Sequence, residues 1–61
     1  MLNRYKRIHH LTNKQLSELL GLSQMTVFRI LHNKNIGPKS IKAMAKLLNV
    51  SELEIYEYYK L

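Results

Sequence analysis

Apolar positions recur along this chain with the spacing of helices and nowhere alternate as in a strand. Leu2 and Tyr5, with Ile8 or His9, make a first short amphipathic stretch. Leu16, Leu19 and Leu20 follow at i, i+3, i+4 and predict a second helix burying one stripe. Thr12 stands just ahead of it as a cap, and Gln15, three residues on, completes a capping box. Val27, Ile30 and Leu31 give a third helix one apolar face, and Ile41, Met44, Ala45 and Leu48 give a fourth. Ser51-Glu52-Leu53-Glu54 is a second capping box, opening a fifth helix through Ile55, Tyr56, Tyr58 and Tyr59.

The breaks between these stretches are as informative. Gly21 directly follows the leucine pair and suits the left-handed position that ends a helix. Only Leu22 separates it from Ser23, a good N-cap. The second and third helices are therefore joined by a three-residue turn containing glycine, which is the sequence form of a helix-turn-helix. The run from His32 to Pro38 reads as a loop in which Asn33 or Asn35 takes positive φ, and Asn49 closes the fourth helix. Ser17 is the small residue that lets the second and third helices approach.

Sixty-one residues make one domain at most, here taken as 1–61, small enough for dimerisation to add useful stability. There is no cysteine, hence no disulfide framework, and His9, His10 and His32 are not spaced as a metal set. No apolar run reaches the roughly 20 residues that span a bilayer, and no secretory signal is visible, so a cytoplasmic protein without membrane partners is expected. A basic amphipathic membrane peptide would not need two capping boxes and a glycine turn. Four acids without an obvious pair, no phosphate loop and no Ser/His/Asp set argue against an enzyme and against a cofactor.

Charge sharpens the picture. The net charge is +6. Residues 1–42 hold eight Lys/Arg against Glu18 alone, whereas residues 43–61 hold Lys46 and Lys60 against Glu52, Glu54 and Glu57. A basic body with a near-neutral end suits a polyanion. Once the inward residues of the third helix are assigned, its remaining face is Gln24, Met25, Thr26, Phe28 and Arg29. Gln pairs bidentately with adenine and Arg with guanine, while Met and the Thr methyl can meet a thymine methyl. Phe28 is expected to fold back on the start of the second helix, with contact to a sugar or a thymine methyl as the alternative. His9 and His10 read as surface residues, Tyr5 and Tyr56 as core, and His32 as a helix C-terminal residue favoured by the dipole. Tyr58, Tyr59 and Leu61 form a surplus apolar end suited to self-association or a protein partner.

These residues resemble the helix-turn-helix family of lambdoid phage repressors and Cro proteins. The resemblance is carried by Leu11-Thr12, Leu16-Ser17, Leu20-Gly21-Leu22-Ser23, Val27 and Ile30, then Ile41, Met44-Ala45 and Leu48-Asn49-Val50-Ser51, then Ile55-Tyr56. It covers nearly the whole chain. It implies an all-α, compact five-helix lambda-repressor-like DNA-binding domain with its helix-turn-helix in helices two and three. It also implies a regulator that reads an inverted-repeat operator in double-stranded DNA as a homodimer, in a bacterial cytoplasm or nucleoid, and of a kind that phages or mobile elements encode. By the same resemblance Gln24, Met25 and Arg29 take the main base-reading positions. Ser23 and Thr26 lie near phosphate or base edge, and Asn13 contacts a phosphate. His32, Asn33, Lys34 and Lys39 fall in a loop following the DNA backbone. The chain departs from the family in Ser17, where alanine is usual, and in Asn33 and Asn49, where glycine is frequent. Leu31 stands where glutamate is common, so the buried ion pair it would make with Lys6 is lost. An antitoxin or antirepressor, working mainly through a protein partner, is the alternative use of such a fold.

Overall fold

The computed structural model describes every residue from Met1 to Leu61 and contains five helices and no strand. They are α1 (Leu2–Ile8), α2 (Asn13–Leu20), α3 (Gln24–Leu31), α4 (Pro38–Leu48) and α5 (Glu52–Tyr59). Helix α2 packs on α3 and α4, α4 packs on α5, and α1 lies against α3 and α4. Eight side chains make the core: Leu2, Leu16, Leu20, Val27, Ile30, Ile41, Met44 and Ile55. Every helix contributes at least one of them. No buried side-chain nitrogen or oxygen lacks a hydrogen-bond partner.

The expected start signals are present as geometry. The Gln15 N–H donates to Thr12 Oγ1 at 3.1 Å, and Gln15 Oε1 accepts from the Thr12 N–H at 2.9 Å, a complete capping box on α2. At α5 only half of the second box forms. The Glu54 N–H donates to Ser51 Oγ at 3.2 Å, but the Glu54 carboxylate meets the Ser51 hydroxyl rather than its backbone N–H. Pro38, read from sequence as loop, is the first residue of α4 instead. That position has no intrahelical use for an N–H, and the fixed φ of proline suits it.

All five helices end alike. A residue in the left-handed region follows each one: His10 (φ 52°), Gly21 (φ 68°), Asn33 (φ 56°), Asn49 (φ 55°) and Lys60 (φ 57°). In each case the next N–H reaches back to a carbonyl five residues earlier: Leu11 to Lys6, Leu22 to Ser17, Lys34 to Arg29, Val50 to Ala45 and Leu61 to Tyr56. This is the Schellman-type closure, which satisfies carbonyls that a helix end otherwise leaves open. Asn35 also has positive φ, at 49°, so both loop asparagines take the conformation expected of one or the other.

Several apolar positions depart from the expected stripes. Leu19 is 53% exposed and Ile8 57% exposed, so the buried face of α2 is Leu16, Ser17 and Leu20. Leu19 instead lines an open groove beside α4 with Ala43, Lys46 and Leu47. In α5 the inward pair is Ile55 and Tyr59, four residues apart, while Tyr56 is an exposed residue. Tyr59 is thus drawn from the surplus end into the core, and Tyr56 leaves it. Tyr5 packs against the core as expected and also stacks on His9, with ring centroids 4.3 Å apart. Leu31 packs on the core where an ion-pair partner would have stood, and Lys6 remains partly exposed. Ser17 is buried with its hydroxyl donating to the Lys14 carbonyl at 2.7 Å, which is how a hydroxyl fits a site suited to alanine.

Two measurements check this description. A Cβ built on Gly21 meets nothing within 4 Å, so the glycine is required by its φ alone. Gly21→Ala should therefore cost about 1 kcal/mol, lowering Tm by about 4–8 °C without altering the helix content. An unchanged Tm would contradict the left-handed turn. Burial pushes the Tyr59 phenol above its ordinary range, opposed by the nearby Leu2 backbone and reinforced by Tyr58. Because the folded value is the higher one, this contribution is complete below about pH 10 and is lost as pH rises through the folded value. Tyr59→Phe should flatten the alkaline decline of Tm, and a mutant that declines in step with the wild type would refute the assignment.

Candidate nucleic-acid interface

Helix α3 is positioned by what it buries. Val27 and Ile30 are completely or almost completely buried, and Leu31 packs beside them. With those side chains inward, the outward face is fixed by the 100° step of the helix. Gln24, Met25, Phe28 and Arg29 are all exposed on it, and Thr26 is half-buried. At the other end, Asn3 Nδ2 in α1 donates to the Leu31 carbonyl at 3.2 Å and ties down the last turn of α3.

The start of α3 is a small hydroxyl cluster. The Thr26 N–H donates to Ser23 Oγ at 3.1 Å, and the two hydroxyls are 2.8 Å apart. Both are committed to the cap. Thr26 therefore offers mainly its methyl to a ligand, and Ser23 is first of all an N-cap. Its removal in Ser23→Ala should cost about 1 kcal/mol, read as a lower Tm. A mutant as stable as the wild type would show the cap to be dispensable.

Asn13 opens α2 and is half-buried. The capping box occupies the Gln15 N–H, and helix geometry leaves the Asn13 and Lys14 N–H groups without intrahelical acceptors. The N-termini of α2 and α3 both carry the positive end of a helix dipole, which favours an anion. Asn13 shares a cleft of about 310 Å³ with Gln24, Met25 and Phe28. This corrects the expectation for Phe28. The ring is not packed away against α2; it remains 48% exposed, lines this cleft with Asn13, and lies tilted against His32, centroids 4.2 Å apart. The reason is the four-residue spacing, which gives Phe28 an aromatic neighbour on its own helix face.

The remaining expected contact residues lie beyond the C-terminus of α3. His32, Asn33 and Lys34 are exposed, and the left-handed Asn33 turns the chain so that the Lys34 N–H bonds the Arg29 carbonyl at 2.8 Å. Lys39, expected in the loop, is instead in the first turn of α4, again exposed, because Pro38 starts the helix one residue earlier. The structure thus brings Asn13, Gln24 and Met25 to one cleft. It adds Phe28 to the same cleft and sets Lys34 and Lys39 on the chain that leaves α3. No group of three or more His, Cys, Asp or Glu side chains can hold a metal ion. No helix is long and apolar enough to cross a membrane.

A family model described as Helix-turn-helix matches residues 4–55. The chain belongs to that family, the helix-turn-helix family that includes lambda repressor and Cro-type domains. It is a DNA-binding helix-turn-helix regulator, in a family that is normally not enzymatic. No curated protein and no solved structure matches the chain.

Proposed function

We propose that this protein, folding as one domain over residues 1–61, is a sequence-specific transcriptional repressor of the Cro-like kind, encoded by a phage or mobile element and acting in the bacterial cytoplasm. It lays α3 in the major groove and covers a promoter by occupancy. The observation that carries this reading is the outward face of α3, where Gln24 and Arg29 stand exposed in a chain of net charge +6. Gln24, Met25 and Arg29, with the methyl of Thr26, meet base edges. Asn13, Ser23, His32, Asn33, Lys34 and Lys39 meet phosphates, which position the protein and carry the salt dependence.

The operator in this proposal is an inverted repeat bound by a homodimer, with half-site centres ~34 Å apart. Leu53, Tyr56, Tyr58 and Leu61 are exposed at the C-terminal end and support self-association there. The same exposure also favours a second reading, in which an antitoxin or antirepressor docks a protein partner on this end.

Selection of duplexes from a random pool, followed by binding of the enriched sequence to variants, separates the readings. Gln24→Ala and Arg29→Ala should each cost about 1–3 kcal/mol on the selected site and relax preference at one or two base pairs. Lys34→Ala should weaken binding to all sequences alike and reduce the slope of log affinity against log salt by about one. Unaltered base preference in both α3 variants would sink the reading of α3, and loss of function in Tyr58→Ala with DNA binding intact would favour the protein-partner role.

A further inference from the structure

Met25 and Phe28 are the two large apolar side chains on the outward face of α3, 61% and 48% exposed. They do not stabilise the core, which is made by Val27 and Ile30 from the opposite side of the same helix. Both stand exposed on one helix face, three residues apart. The Phe28 ring lies tilted against His32, and both Met25 and Phe28 line the cleft of about 310 Å³ whose other lining residues are Asn13 and Gln24.

We infer that this cleft is a seat for the 5-methyl group of a pyrimidine in the major groove, with Phe28 as a specificity-determining residue beside Met25. The inference rests on the proposed docking of α3 and adds a chemical selectivity to it. In the major groove thymine is distinguished by O4 and by its C5-methyl, the only apolar group on any base edge there. A cleft lined by two apolar residues and two amide residues complements that pair of features. The methyl lies against Met25 and Phe28, while Gln24 is placed to bond the edge of a neighbouring adenine. A cytosine carries the same apolar group only when methylated at C5, so the cleft also makes binding sensitive to that modification.

The test uses the full chain and the duplex it enriches from a random pool. Each thymine of the half-site is replaced singly by deoxyuridine, which removes the methyl and leaves every hydrogen-bonding group. At one position affinity should fall about fourfold, the size of one buried methyl group. Changing that T·A pair to C·G and then methylating the cytosine at C5 should recover about fourfold over unmethylated C·G. In Phe28→Ala and in Met25→Ala both methyl effects should shrink towards onefold. Both side chains are exposed, so the variants should melt close to the wild type, and a melting curve confirms that the loss is not unfolding. A deoxyuridine scan without effect at any position, with a sequence nonetheless selected, would overturn the methyl seat and leave the regulator reading standing. Methyl effects that persist unchanged in Phe28→Ala would overturn the role of Phe28. Failure to enrich any duplex would overturn both the seat and the docking of α3.

Discussion

The helices of this protein are seven to eleven residues long, below the length at which an isolated helix persists in water. None can stand without the others, and what holds them is one cluster of eight apolar side chains. Leu2 is the only fully buried residue of α1, and Ile55 the only one of α5. The ends of the chain are thus each pinned by a single buried side chain, with Tyr5 and Tyr59 packed beside the cluster. The outward face of α3 exists because Val27 and Ile30 fill the inside of that helix. Position and chemistry of the candidate interface are consequences of burial on its far side.

Packing five helices around so few side chains requires abrupt reversals, and the chain makes each with the same backbone device. A left-handed residue and a bond back over five residues end every helix, although glycine occupies only one of the five positions. Asparagine tolerates this conformation through local hydrogen bonding of its side chain and histidine is also enriched there, whereas lysine has no such help. At Lys60 the preceding Tyr59 packs on the core and holds the turn in place. Leu11 after His10 and Leu22 after Gly21 both pack on the core, the apolar contact that accompanies this closure.

That asymmetry explains what was legible in the sequence. The starts of α2, α3 and α5 were readable because Thr12, Ser23 and Ser51 are residues whose side chains compete well for exposed N–H groups. The ends at Gly21 and Asn49 were readable because their types favour positive φ. The ends at His10 and Lys60 carried no local signal. Burial was readable to the level of a helix face but not to its edges. Leu19 and Ile8 have the right spacing and still face outward, since short helices contact their neighbours over a narrower arc than an apolar stripe suggests. In α5 the choice between Tyr56 and Tyr59 turns on which tyrosine reaches α1, a tertiary fact absent from the local pattern. At the candidate interface Gln24, Met25 and Arg29 were evident as the residue left over after the core was assigned. The surroundings of Phe28 were not, because its cleft is made jointly with Asn13 from another helix.

The outward face of α3 divides into residues that are free of the fold and residues that are not. Gln24 and Met25 are exposed, and neither side chain makes an intramolecular hydrogen bond that the fold uses. Changes there alter what the face presents and leave the helix standing. Ser23 and Thr26 differ, because their hydroxyls and the Thr26 N–H form the N-terminal cap. Asn33 differs too, since its left-handed turn is what returns the Lys34 N–H to Arg29. A change at any of these three shifts the placement of the face together with its chemistry. Specificity in this scaffold can therefore drift through Gln24, Met25, Phe28 and Arg29 at little cost to folding, while the two ends of α3 stay constrained by the backbone they complete.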